Sequence, residues 1–367
     1  MRTGGRTTSA STPSAAPGHP GFERPPPARR RGGLDPPRGL DRAERCAGAE
    51  TNAMKAFIVR RLLATVVVLW VVSVLTFIAL NVLPGDVAAA IMGPQADPTA
   101  VEALRERLGL NDSLLKQYAG WIADVFQGDL GVSHRTGTEV GDLIGGRIEV
   151  TVELGILSIL IALIIAIPLG VIAGARPGTV FDYGLTFFAV LGVSIPVFWL
   201  ALLFVLLFAV ELGWLRAIGF TSFTDDPIAN LKSMVMPATA IGLTLAGNLA
   251  RQVRASMVEV LRQDYVRTAQ AKGLTPRTVI TRHAFRNALI PLVTVLGLQA
   301  SLAVGGAIIV EQIFQLPGMG KLVIDSIFFQ EVHAMQALTL LIAAGVALIS
   351  LLVDISYAFL DPRIRYT

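Results

Sequence analysis

Charge is scarce: Asp, Glu, Lys and Arg make up 16% of the 367 residues, while 53% are hydrophobic. A soluble domain usually carries about 25% charge, so this deficit points to a membrane. Cysteine is nearly absent too. Cys46 stands alone, which excludes an intrachain disulfide and a cysteine metal cage. The four histidines, His19, His134, His283 and His333, are scattered, with no pair spaced to share one helix face. No Gly-x-x-x-x-Gly-Lys-Ser/Thr loop occurs, so the chain cannot hydrolyse ATP alone by the usual route. Nothing in the sequence calls for a metal or cofactor.

Large apolar residues are nearly missing from 1–53, which is rich in Pro, Gly, Arg, Ser and Thr. Such a segment cannot bury enough surface to offset its ordering entropy, so disorder is expected. Met54 and Lys55-Ala-Phe-Ile-Val-Arg60-Arg61 then lead into an apolar run. Two readings stay open: Met54 is the true start of translation, or 1–53 is a flexible cytoplasmic tail. The membrane body is expected over 54–367.

What the chain has in abundance is uncharged length. Six stretches lie between Arg61 and Asp86, Glu153 and Arg176, Asp182 and Glu211, Lys232 and Arg251, Arg286 and Glu311, and His333 and Asp354. An α-helix needs about 20 apolar residues to cross a bilayer. Spans are therefore placed at 62–83, 154–175, 184–210, 233–250, 288–310 and 334–353. Backbone groups in lipid must be satisfied internally, so the spans are helices. A signal peptide's apolar core runs about 7–15 residues, shorter than the first stretch, which favours an uncleaved helix. Pro168 and Pro196 fall inside spans two and three, where kinks are expected.

The net charge of +4 and pI of about 9.4 could suggest nucleic acid, but position decides otherwise. Between spans four and five, Arg251, Arg254, Arg262, Arg267, Lys272, Arg277, Arg282 and Arg286 face only Glu259 and Asp264. The segment after span one is acidic. Cytoplasmic loops carry excess Lys and Arg, so both termini are placed inside and the basic surplus reports orientation. Between Asp86 and Gly146 a folded outer lobe is expected. Pro98–Leu108 reads as an amphipathic helix stopped by Gly109, and Leu114–Phe126 as a second helix.

The basic inner segment has its own pattern. Val253, Met257, Val260 and Leu261 share one helical face, and the helix is expected to continue to Lys272. Gly273 fits a C′ position needing positive φ, Thr275 can cap the next helix, and Pro276 fits its first position. These residues predict a sharp turn between two cytoplasmic helices, and Ala269 and Ala271 keep its approach thin.

The stretch Asp264-Tyr-Val-Arg-Thr-Ala-Gln-Ala-Lys-Gly-Leu274, followed by Arg282-His-Ala-Phe-Arg-Asn-Ala-Leu-Ile-Pro291, closely resembles the coupling segment of bacterial ABC-type peptide-importer permeases. Arg267-Thr268-Ala269, then Gly273, stands where that family carries its "EAA" pattern and glycine. The resemblance covers 55–367. It includes Leu83-Pro-Gly-Asp86, Gly128-Asp-Leu-Gly131, Ser194-Ile-Pro196-Val-Phe198, Glu311 with Pro317-Gly-Met-Gly320, and Asp354 with Asp361-Pro-Arg363. Departures are Val87, Glu149 and Gln330-Glu331-Val-His333. The latter two put substrate or binding-protein preference in doubt.

The resemblance implies an all-α membrane protein with the six-helix type I importer permease fold. It implies an extracytoplasmic lobe after helix 1 and a coupling helix between helices 4 and 5. It implies a second permease, two ATPase subunits and an extracytoplasmic binding protein as partners, in the inner membrane, moving di- or oligopeptides. Arg267, Thr268, Ala269, Ala271, Lys272, Gly273, Leu274 and Pro276 would then meet an ATPase. Arg267 and Lys272 either pair with its acidic groups or are solvated. Ser194, Pro196, Phe198, Gln299, Ser301 and Glu311 are candidate path residues, with Glu311 expected at the outer vestibule. Gln299 either lines the path or bridges to a neighbouring helix. Nickel, glutathione and sugars are alternative cargoes. An ion-coupled carrier is disfavoured because such proteins keep ionisable residues at mid-membrane, and all six spans lack them. An intramembrane protease is disfavoured because Ser194 has no histidine at membrane depth.

Overall fold

A computed structural model describes residues 40–82, 87–93, 95–107 and 109–360. The expected disorder over 1–39 and the motifs Leu83–Asp86 and Asp361–Arg363 lie outside the described residues. Among the described residues the elements are helical, apart from one isolated antiparallel bridge, Val132 with Glu139. Helix α1 is Leu40–Val82, so residues 40–53 are helical where the composition suggested disorder. That stretch is rich in Ala, Glu and Arg, strong helix formers, and contains no proline.

The acidic segment holds three short helices, α2 (Val87–Met92), α3 (Pro98–Arg107) and α4 (Leu114–Phe126). Gly109, at φ +67°, follows α3 as expected. Tyr118 and Trp121 on α4 rest on Phe77 of α1, with ring centroids 5.4 and 6.1 Å away. The Tyr118 hydroxyl lies 2.8 Å from that of Ser73. We call this the lobe end of the bundle.

Helix α5 (Val140–Ala175) descends from the lobe end and runs unbroken through Pro168. Pro196 acts differently. It separates α6 (Val180–Ser194) from α7 (Val197–Phe204), which continues as a π-helix over Val205–Glu211. The two halves bend by 98°. Ile195 takes the extended conformation forced on a residue before proline (φ −86°, ψ 118°), and Pro196 caps α7. The third span is therefore a broken pair. Among the described residues, five single helices and this pair have the length and apolarity to cross a membrane.

Helix α8 (Pro227–Leu261) is longer than the expected fourth span and forms the centre of the bundle. It packs along α5 through two rows of small residues. Ser158, Ala162, Ala166, Gly170 and Gly174 line α5, and Ala238, Gly242, Ala246 and Ala250 line α8. A Cβ on Gly242 would sit 2.9 Å from the Ser158 carbonyl oxygen, and one on Gly170 would lie 2.7 Å from that of Ala250. Lipid gives apolar side chains no reason to associate, so close backbone approach supplies the dispersion energy instead. The register makes α5 and α8 parallel, which requires α6 and α7 to recross between them. Ala189 meeting Gly247 and Gly192 meeting Leu243 place α6 antiparallel to α8.

Beyond α8 come α9 (Asp264–Ala271), α10 (Pro276–Thr278) with a π-helix over Val279–Ala284, and α11 (Phe285–Ala288). Then α12 (Ile290–Phe314) recrosses, α13 (Met319–Phe328) turns back into the lobe end, and α14 (Val332–Leu360) descends. Arg61 and Asp354 pair at 3.0 Å, tying α1 to α14 at the basic end.

Candidate functional site

At the basic end, α8 stops at Leu261 rather than running on to Lys272. The chain breaks at Arg262 and Gln263, and Gln263 takes extended φ and ψ as the cap of α9. The amphipathic pattern is thus shared between two helices. Val266 and Ala269 of α9 pack on Val279 with Leu261 beside them, a small core that fixes α9 to the π-helix beginning at Val279. Tyr265 adds a second tie: its hydroxyl accepts from the Asn287 amide at 2.8 Å.

The turn itself forms as its residues dictate. Gly273 sits at φ +81°. Its N–H donates to the Gln270 carbonyl at 2.9 Å, and the Leu274 N–H to that of Ala269 at 3.4 Å. These are the two bonds of a Schellman motif, which closes a helix through a left-handed residue. Thr275 then caps α10, its hydroxyl accepting from the Thr278 N–H, and Pro276 opens that helix. Arg267, Thr268, Ala271, Lys272, Gly273, Leu274 and Pro276 are all exposed. Ala269 is not: at 7% exposure it belongs to the small core and holds the segment from behind. Arg267 approaches Asp264 at 3.8 Å across open solvent, a contact worth about 0–1 kcal/mol.

A part-buried ion pair supports this platform, and charge counting along the chain gave no hint of it. Arg254 of α8 grips Asp182 of α6 through both its Nε and its terminal nitrogen, the latter at 2.8 Å from Oδ2. Asp182 also accepts the Gly178 N–H at 2.9 Å. It occupies the third position of α6, where a carboxylate favours the helix dipole. The readable signal was an acidic residue three positions after Thr179, at the mouth of an apolar span and opposite an arginine-rich segment.

The path candidates do not converge on one surface. Ser194, Pro196 and Phe198 lie at the α6–α7 break, with Ser194 exposed and Phe198 at 44%. Gln299 is buried at 6%, and Ser301 is half-buried with its hydroxyl donating to the Gly297 carbonyl. Glu311 departs furthest from expectation. Rather than facing a vestibule, it is fully buried. Its carboxylate accepts from the Thr151 hydroxyl at 2.6 Å and from the Lys321 N–H at 3.0 Å. Met319 N–H donates to the same Thr151 hydroxyl at 2.8 Å. Glu311 thus serves as the cap of α13 from outside that helix, satisfying N–H groups that a helix start leaves free. This explains Gly318, where a Cβ would run into the Glu311 carboxylate; at Gly320 a Cβ would meet the Ile308 backbone first, and the carboxylate at 3.0 Å.

A second carboxylate works the same way. Glu331 is buried at 6% and receives the Ser133 hydroxyl (2.9 Å) and the N–H groups of His134 (3.2 Å) and Arg135 (3.0 Å). It clasps the hairpin around the 132–139 bridge to the start of α14.

Residues 166–366 match the family described as binding-protein-dependent transport system inner membrane component, and residues 54–155 match its N-terminal part. The chain belongs to that family. Its relatives include a dipeptide transport system permease protein of Alkalihalophilus pseudofirmus, 39% identical over 85% of this chain and 100% of its own length. An oligopeptide transport system permease protein of Bacillus subtilis is 38% identical with the same coverage. A glutathione transport system permease protein of Escherichia coli is 39% identical, again with that coverage. This permease is a membrane component and not itself a catalyst.

Proposed function

We propose that this permease is one subunit of an ATP-driven importer of di- and oligopeptides, working with a second permease, two ATPases and an extracytoplasmic binding protein. The observation that carries this reading is similarity along 85% of the chain to permeases named for dipeptides and oligopeptides. The basic end is cytoplasmic, in keeping with its arginine surplus, and both termini lie there with the lobe outside. Residues 54–367 form the transport domain; the family match from residue 54 supports that boundary.

In this reading the exposed turn Arg267–Pro276 is the contact with an ATPase. The Schellman turn offers backbone rather than bulk at Gly273, which lets a cleft close around it. The Val266, Ala269 and Val279 core and the Asp182–Arg254 pair make the turn rigid against α8 and α6. A push on the turn therefore moves whole helices. Closure of the ATPases favours one packing of the bundle and their opening another, which is alternation between two states. The α6–α7 break, with Ser194, Pro196 and Phe198, faces the path. Glu311 positions α13 and does not touch cargo.

Co-purification through a C-terminal tag tests this reading. A second permease and ATPases should accompany the wild type, and the ATPases should be lost from Gly273→Trp. Purification alone, with uptake into liposomes driven by a proton gradient, would overturn it in favour of an ion-coupled carrier. Competition among dipeptide, oligopeptide, glutathione, nickel and sugar in the assembled system ranks the cargo.

A further inference from the structure

The lobe end holds an open cavity of about 700 Å³, between the end of α1, residues 109–112, helix α4, residues 129–131 and the start of α14. Its size is that of a small-molecule site. We infer that this cavity binds a primary ammonium group flanked by an apolar side chain, supplied by the amino-terminal end of a small peptide or by an aminophospholipid headgroup. The inference rests on the lobe facing outward, as proposed above.

Three observations point there. Gln336 lines the cavity and is only 5% exposed, yet its side-chain amide makes no hydrogen bond among the described residues. Its polar atoms open onto the cavity, where a ligand could take the place of water as their partner. An amide both donates and accepts, which matches the peptide unit next to a terminal amine.

The charge in the cavity is acidic. Lys116 is held by Asp112 at 2.9 Å. The Asp124 carboxylate has no hydrogen-bond or ion-pair partner among the described residues, and that of Asp129 accepts only the Gly131 N–H through Oδ1. Two carboxylates, with His333 as their neighbour on the cavity wall, therefore remain for a cation. Among the described residues no group of three His, Cys, Asp or Glu could hold a metal, which favours an organic cation.

One wall is aromatic. Phe77 and Trp121 stack with an interplanar angle of 20° and centroids 6.1 Å apart. Phe77 is the buried ring of this pair, and the half-buried Trp121 is the ring that an apolar side chain or an ammonium could reach.

The test uses the assembled transporter in phosphatidylcholine nanodiscs, without binding protein. The probe is radiolabelled phenylalanyl-alanine, with its N-acetylated form and soluble phosphoethanolamine as competitors. Saturable binding of the free dipeptide is expected, with no competition from the acetylated form. Gln336→Leu and Asp124→Asn should each weaken binding about tenfold, the scale of a lost hydrogen bond to a charged group. A structural glutamine would destabilise the fold when replaced; here Gln336→Leu should unfold at the same temperature or higher. Displacement of the bound group by phosphoethanolamine alone assigns the ammonium to lipid rather than peptide. Wild-type binding in both variants, or equal binding of acetylated peptide, overturns the site. ATP-driven dipeptide uptake is measured in parallel with binding protein added. Normal uptake beside a failed binding result removes the cavity site and leaves the permease reading standing. Absent uptake with no co-purifying ATPases removes the permease reading, whatever the cavity binds.

Discussion

Helices α8 and α14 are both long enough to cross a bilayer, but they are built on opposite rules. The membrane-spanning part of α8 is only moderately apolar and about two-thirds buried, whereas that of α14 is strongly apolar and almost without buried residues. The helix at the centre of the bundle is the less apolar of the two. In water the ranking would be reversed. In a membrane the lipid is as apolar as leucine, so the outside of the bundle demands hydrophobicity and the inside demands fit. Hydropathy therefore reports contact with lipid, and small-residue spacing reports burial.

Six substitutions, one of them a second-site rescue, sharpen that contrast. The largest effect is expected at Arg254 of α8. Arg254→Met leaves the buried Asp182 carboxylate with only the Gly178 N–H and no counter-charge, and should cost about 2–3 kcal/mol, reduced because water reaches part of the site. Adding Asp182→Leu should restore most of the loss, as read by denaturant titration of the purified complex. Next is Gly242→Leu, which forces a side chain between α8 and α5 and should cost about 2 kcal/mol. Leu348→Ala on the exposed face of α14 is its counterpart, with an expected change within about 0.5 kcal/mol. If the two proved equally costly by thermal unfolding, the contrast between inside and outside would fail.

Glu311→Gln keeps the shape but removes the charge that caps α13, for a loss of about 1–2 kcal/mol and faster hydrogen exchange at Gly320 and Lys321. A smaller change is expected at the turn. Gly273→Ala strains a left-handed residue by about 1 kcal/mol. Its effect on ATPase capture should nevertheless exceed that of Leu348→Ala. A pull-down showing both variants at wild-type level would separate the turn from coupling.

Much of this was readable in the chain. The Gly273 turn, its Thr275 cap and the Pro276 start were legible because each depends on bonds within a few residues. The helical character of the spans followed from the demand that backbone groups pair internally. Pro168 and Pro196 looked alike in the sequence but behave differently: one is carried within α5, while the other, after an extended Ile195, ends α6. The end of α8 at Leu261 was hidden because α9 continues the same apolar face, and periodicity does not record a two-residue break.

The sequence by itself determined that this is a helical membrane protein, where its apolar helices run and how its basic turn closes, since lipid exposure and local capping act on neighbouring residues. Only the tertiary structure decided the roles of Asp182, Arg254, Glu311 and Glu331. Each is a charge whose partner lies on another helix or loop: 72 positions away for Asp182 with Arg254, 160 for Glu311 with Thr151 and 198 for Glu331 with Ser133. A charge whose partner comes from a distant part of the chain can be interpreted only once packing has brought the two together.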